Sequence, residues 1–163
     1  MHSVNANKKI LLFSTLIGLG LLLFFIAIMI VDFTRIRPLP PMAVTENYPV
    51  VWQLNPVDYG DHFITITGWA LIPGEALEKF TAHVVLENTA SGELTQIRTM
   101  MLPMQQLNDD FPDGIDYTNY GFLAKANQRA IDLSQNSYLI FLHYQHNGHD
   151  YFLDLGQTIG ALR

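Results

Sequence analysis

The stretch LHYQHNGHDY, residues 142–151, holds three imidazoles within seven positions: His143, His146 and His149. Imidazole is the commonest metal ligand and the side chain that titrates nearest neutral pH, so this spacing raises metal binding and proton-coupled behaviour together. A second chemistry-bearing group lies in NDDFPDGID, where Asp109, Asp110, Asp113 and Asp116 gather around a glycine turn, the composition a calcium loop would use. What either group can do depends on the backbone that carries it.

Asn147-Gly148 stands between two apolar, aromatic runs, and both central positions of a type I′ hairpin turn take positive φ, which this dipeptide supplies. The turn fixes a register: His146 opposite His149, Tyr144 opposite Tyr151, Leu142 opposite Leu153 and Ile140 opposite Leu155, all on one face. His143 falls on the other face with Phe141, beside Phe152, and Asp150 also points away from His146 and His149. The three histidines therefore do not converge, and two imidazoles at an exposed turn lack the remaining ligands of a stable zinc site. The expectation is a polar hairpin tip without a metal, weakly pH-responsive through His146 and His149. The aspartates fail the calcium pattern too. With Asp109 as the first position of an EF-hand loop, Phe111 stands at the third and Tyr120 where the bidentate glutamate belongs. A solvated acidic loop with no cofactor is expected.

Nucleophilic catalysis finds no frame. Beyond the amino-terminal apolar run the serines are Ser91, Ser134 and Ser137, none in a Gly-x-Ser-x-Gly elbow. Gly18-x-Gly20 lies inside that apolar run and cradles no phosphate. A carboxylate acid/base pair is the one catalytic route the composition leaves open.

The elements that must position these groups read as short β-branched and aromatic runs separated by turn residues. They are 50–54, 62–72, 80–87, 94–102, 120–127, 137–145 and 150–158, about seven strands, the number expected of an immunoglobulin-like sandwich. Gly68 interrupts the second run where the apolar parity changes from Ile64 and Ile66 to Trp69 and Leu71. A one-residue bulge at Gly68 would return all four to one face and make Trp69 a core anchor. NTASGE supplies a hairpin loop, PGEALEK (73–79) a single helical turn, and 103–119 the longest and most acidic loop.

Ahead of the strands, Ile10 to Val31 gives twenty-two positions without a charge. As a helix this run spans roughly 33 Å, enough for a hydrocarbon core of about 30 Å. A cleaved secretory signal would have an apolar region of about 7 to 15 residues and a small-x-small site, which Pro41-Met42-Ala43 does not provide. The chain has no cysteine, so it has neither disulfides nor a thiol to lipidate. Lys8, Lys9 and the short leading segment favour a cytoplasmic amino terminus. From Pro38 onward fourteen acidic residues face five basic ones (Lys79, Arg98, Lys125, Arg129 and Arg163), a balance that repels nucleic acid and anionic lipid. The expected organisation is a cytoplasmic tail (1–9), a single transmembrane helix (10–31), a Pro-rich spacer (32–49) and an extracytoplasmic all-β domain (50–163). Ser14 and Gly18, at i and i+4, permit helix self-association.

The runs ITITGWAL, HVVLEN, QIRTMML with its arginine, YGFLAKAN and SYLIFLHYQ, in that order, resemble β-sandwich modules of bacterial membrane-anchored cell-envelope polysaccharide proteins. The resemblance covers about residues 60–155 and carries no functional residue across. It implies an accessory, non-catalytic role at the cell membrane: a binding or scaffolding module with a protein or glycan ligand. The candidate binding surface is Asp109, Asp110, Asp113, Asp116, His146 and His149, where loop length and polarity coincide. The alternatives are a small auxiliary subunit of a membrane complex and a carboxylate-dependent hydrolase acting on envelope glycans.

Overall fold

The computed structural model describes residues 3–34, 36–76 and 80–160. The chain divides into two compact units, Met1–Arg35 and Ile36–Arg163. The first is one helix, α1 (Ser3–Thr34). Its described side chains, 13 to 29, are exposed and overwhelmingly apolar, among them Phe13, Leu16, Leu19, Leu23, Phe24 and Ile28. Among the described residues no helix is long and apolar enough to cross a membrane; the charge-free run of the sequence, Ile10 to Val31, extends past the described side chains at both ends.

Among its described residues the second unit has ten strands, three more than the sequence suggests. In chain order they are β1 (Arg37–Leu39), β2 (Val51–Leu54), β3 (Asp58–Tyr59), β4 (Phe63–Leu71), β5 (Phe80–Asn88), β6 (Leu94–Gln96), β7 (Arg98–Leu102), β8 (Gly121–Asn127), β9 (Tyr138–His146) and β10 (His149–Ile159), with a single helical turn, α2 (Leu107–Asp110), after β7. They form two antiparallel sheets, β1-β6-β5-β9-β10 and β2-β4-β8-β7, with β3 added to β4. The expected strand 94–102 is split. Its first part pairs with β5 in one sheet and its second with β8 in the other, and buried Ile97 turns the corner, donating its amide to the Val84 carbonyl at 3.0 Å. Of the helical turn expected over 73–79, Pro73 and Gly74 make a plain turn and 77–79 lie outside the described residues.

Alternation explains the core. Ile64, Ile66 and Ala70 of β4 and Phe122, Ala124 and Ala126 of β8 meet Val84 and Leu86 of β5, Ile140, Leu142 and Tyr144 of β9 and Leu153 of β10 in one buried cluster. Period-two burial of this kind is what a half-buried strand requires. The hairpin forms as the sequence predicts: Asn147 and Gly148 have φ of 47° and 87°, and His146↔His149, Tyr144↔Tyr151 and Leu142↔Leu153 are partners. The fourth expected pair is not formed. The ladder is irregular between Asp154 and Thr158, where Gly156 takes φ 64°, so Ile140 and Leu155 both enter the core without facing each other.

Two expectations are corrected here. β4 carries no bulge at Gly68, because its pairing with β8 is unbroken from Phe63↔Asn127 to Trp69↔Gly121. Gly68 itself occupies a core-facing position, and Trp69 and Leu71 stay on the opposite face, where a second cluster buries Leu71 and the half-buried Trp69 packs against it. The Pro-rich stretch is not a free spacer either. Its β1 pairs with β6, Leu39 and Met42 pack against Val85, Leu94, Phe141 and Phe152, and the Thr45 amide donates to the Phe152 carbonyl at 2.8 Å. Residues 37–45 thus strap the outer face of the first sheet. Proline suits the strap, since Pro38 on an edge strand has no amide to leave unpaired.

Candidate functional site

The acidic loop 103–119 folds onto the outer face of the second sheet. Leu71, Leu107, Tyr117 and Tyr120 are fully buried in a cluster of their own, with Trp69, Met104, Phe111 and Ile115 packed around them. Backbone bonds pin its two ends, the Met104 amide donating to the Thr118 carbonyl (2.7 Å) and the Ala70 amide to the Tyr120 carbonyl (3.2 Å). Within the loop, Asn108 accepts from the Tyr117 amide at 2.6 Å and donates to Asp116 and Thr118, both at 3.2 Å.

The four aspartates therefore divide. Asp113 accepts from the Tyr117 hydroxyl (2.6 Å), the Ile115 amide (3.1 Å) and the Gly74 amide (3.2 Å), and the tyrosine hydroxyl above all holds its carboxyl below the usual carboxylate range. Asp116 accepts from the Thr118 amide at 2.9 Å; the Thr118 hydroxyl, that amide and Asn108 likewise lower its pKa. Both carboxylates are occupied in shaping the loop. Asp109 and Asp110 stand exposed on α2.

His146 is not at an exposed tip. It is fully buried, with Nδ1 3.1 Å from the Tyr144 hydroxyl and Nε2 3.3 Å from a Glu75 carboxylate oxygen and 3.1 Å from the Asn147 amide nitrogen. Its strand parity matches Tyr144 and Leu142, so it continues the core stripe; the segment that covers it is Glu75 and Ala76, whose carbonyl accepts from the Asn147 side chain at 3.1 Å. His149 is exposed, beside the Tyr151 ring. His143, on the far face, pairs with Asp150 at 2.5 Å. Among the described residues no three metal-ligating side chains gather as a metal ion would need.

Two regions that look separate in the sequence thus fasten onto one turn, residues 73–76. Asp113 and the Tyr117 hydroxyl receive the Gly74 amide, the latter at 2.9 Å; the Tyr120 hydroxyl donates to the Glu75 carbonyl at 3.1 Å; His146 and Asn147 hold Glu75 and Ala76. Edge-to-face, tilted and, at the last step, stacked ring contacts run unbroken through Trp69, Phe111, Tyr117, Tyr120, His146 and Tyr144, with centroids 5.2 to 6.2 Å apart, the range in which aromatic pairs add to plain burial. Burial pushes the Tyr120 hydroxyl up to about 12 and raises Tyr144 and Tyr117 as well, so all three remain neutral hydrogen-bonding groups. Sequence reasoning missed Glu75, Tyr117, Tyr120 and Tyr144 as parts of this pole. The signal available was the tyrosine spacing in DYTNYGF, which places two large rings at the end of the acidic loop.

Burial holds the His146 imidazole below its ordinary value, with the Glu75 carboxylate opposing that shift. A base whose folded-state pKa is depressed loses stability as pH falls: above about 6.5 neither state carries the proton, and below it the unfolded chain takes it up more readily. The urea midpoint should therefore fall between pH 7 and pH 5, and His146→Gln should flatten part of that fall. An unchanged slope in the variant would mean that His146 is solvated.

Compared with protein-family models, with curated proteins and with solved structures, the chain gives no match.

Proposed function

We propose that this protein is a membrane-anchored, extracytoplasmic and non-catalytic binding or scaffolding module of the cell envelope, with an immunoglobulin-like sandwich as its head and a protein or glycan as its ligand. The anchoring rests on the charge-free run Ile10–Val31 and on an α1 whose described side chains are apolar on every side, which water does not favour. The orientation rests on Lys8 and Lys9 ahead of that run.

One observation carries the binding role. The acidic loop is not a mobile lid but a packed platform, fixed by the buried Leu71, Leu107, Tyr117 and Tyr120, which presents Asp109 and Asp110 outward. A surface held rigid before contact loses little conformational freedom on binding, and that favours recognition. The carboxylates that shape the platform, Asp113 and Asp116, are spent on hydrogen bonds within it, which leaves Asp109, Asp110 and the exposed His149 as its contact groups.

The test uses the full chain in its own membrane. Photo-crosslinking residues incorporated beside 109 and 110 should yield a discrete adduct, and Asp109→Asn with Asp110→Asn should reduce its formation about fivefold, as expected for roughly 1 kcal/mol of rim electrostatics. Equal capture by the neutralised chain would overturn the binding surface. Recovery of the chain in the soluble fraction after alkaline extraction would overturn the anchor.

A further inference from the structure

The end of the second sheet farthest from the platform carries a cleft of its own. β4 and β8 pair from Phe63↔Asn127 to Trp69↔Gly121, so about 20 Å of strand separates the Phe63 end from the Trp69 end, where the acidic loop packs. At the Phe63 end, Asp61, His62, Phe63, Asn127, Gln128 and Arg129 line an open cleft of about 430 Å³. Gln128 and Arg129 also line a neighbouring hollow of about 290 Å³, together with Asp132, Leu133 and Ser134. The larger falls within the roughly 300–1,000 Å³ that small-molecule sites occupy.

The backbone fixes these walls. The Gln128 amide donates to the His62 carbonyl at 3.0 Å and the Gln128 side chain to the Gly60 carbonyl at 2.6 Å, which ties the turn between β3 and β4 to the end of β8. The Asn127 side chain accepts from the Arg129 amide at 2.9 Å, and the Asn127 carbonyl accepts from the Ala130 amide at 3.0 Å, so the chain curls directly after β8. Ile131 and Leu133 then enter the main core, and the Tyr138 hydroxyl donates to the Ile131 carbonyl. Asp132, at φ 46°, sits between those two anchors and accepts from the Ser134 hydroxyl at 2.7 Å through one carboxylate oxygen.

The side chains that the walls carry are free. Asp61, His62 and Arg129 are exposed, and among the described residues their side chains make no hydrogen bond, ion pair or ring contact. That sets the cleft apart from the platform, where Asp113 and Asp116 are bound into the loop. A guanidinium only donates, a carboxylate only accepts, and a neutral imidazole does one of each; the Gln128 side-chain oxygen adds a further acceptor. Hydroxyl groups, which donate and accept at once, satisfy such a mixture. An anionic ligand does not, because it only accepts and the carboxylates of Asp61 and Asp132 outnumber the single guanidinium.

We propose that this cleft is a saccharide-binding site for a neutral glycan, whose hydroxyls bond to the Asp61 carboxylate, the His62 ring and the Arg129 guanidinium. Phe63 is the one large apolar side chain of the cleft and is half-buried, which leaves part of it for the apolar C–H face of a sugar ring. The neighbouring hollow, which shares Gln128 and Arg129, gives room for a second sugar unit, so the ligand is an oligosaccharide stretch. Walls held in place before contact lose little freedom on binding. The site does not rest on the platform: capture at 109 and 110 reads one surface and glycan binding reads the other, so either fails alone.

The experiment applies fluorescent liposomes carrying the full chain to an array of neutral, uronic-acid-containing, sialylated and phosphorylated oligosaccharides. Many copies on one liposome make a weak single contact readable. A subset of the neutral oligosaccharides should retain the liposomes, and charged counterparts should retain at least fivefold less. Asp61→Ala and Arg129→Ala should each lower retention at least tenfold with an unchanged urea midpoint. No retention by any neutral glycan overturns the proposal, as does retention that requires a carboxylate or phosphate on the glycan, or retention undiminished in both variants. The native chain in detergent micelles gives a reading that needs no variant. On titration with a retained oligosaccharide the His62 ring signal should shift while that of His143 does not, and an unmoved His62 signal overturns the site.

Discussion

Tyr117→Ala is expected to undock the acidic loop and the 73–76 turn together, at a local cost of about 3–5 kcal/mol, the range for deleting a buried aromatic ring. Tyr117 is completely buried in a cluster that is separate from the main core, between the rings of Phe111 (5.7 Å) and Tyr120 (5.2 Å). Its hydroxyl also donates to Asp113 and accepts from Gly74, so one side chain serves both the platform and the turn that covers His146. Hydrogen exchange at residues 107–111 and at Gly74 reads the loss, which is limited by the free energy with which the loop is docked. Tyr117→Phe separates the two contributions. It keeps the ring and removes the hydroxyl, and should cost only about 1–2 kcal/mol because Asp113 still accepts from Gly74. Equal costs for the two variants would show that the hydroxyl alone holds the pole, and undiminished protection in Tyr117→Ala would refute the platform itself.

Strand identity was legible because it is a local property. The β5, β8 and β9 runs announce themselves by period-two alternation, and Asn147-Gly148 fixes a register that holds through Leu142↔Leu153. What the sequence did not show depends on contacts between distant segments. His146 shares the parity of Leu142 and Tyr144, which placed it on the core side of the hairpin; its burial needs Glu75 and Ala76, some seventy residues away, and nothing in their own spacing marks them as a cover. The strap was hidden by composition. Prolines in 38–41 are as compatible with an extended tether as with an edge strand, and only pairing with β6 decides between them. The exposure of all four aspartates on the acidic loop was legible in the sequence. The hydrogen bonds that tie Asp113 to Gly74 and Asp116 to Asn108 were not, because they depend on how the loop folds back on itself and on the 73–76 turn. Parity reasoning at Gly68 assumed a single buried face, whereas this sheet buries residues on both.

That two-faced burial makes Gly68→Ala the sharpest stability test of the fold, with an expected cost of about 2 kcal/mol and a fall in melting temperature of roughly 6–10 °C. A Cβ at position 68 would lie 2.4 Å from the Gln53 carbonyl oxygen and 2.8 Å from Cζ of Phe122. The first contact is with the backbone of β2, which cannot yield without shifting a strand paired along Val51–Leu54; the second is the far end of a ring that is itself locked in the core. Gly68 has no positive φ, so the cost is steric and the small entropic gain of replacing glycine works against it. Phe122→Leu removes Cζ and supplies the control. If the ring carries part of the clash, the double variant should be more stable than the sum of the two single losses by about 0.5–1 kcal/mol. Strict additivity would assign the whole cost to β2, while a Gly68→Ala chain as stable as the native one would mean that β2 does not cross β4 as closely as its pairing of Leu54 with Gly68 requires.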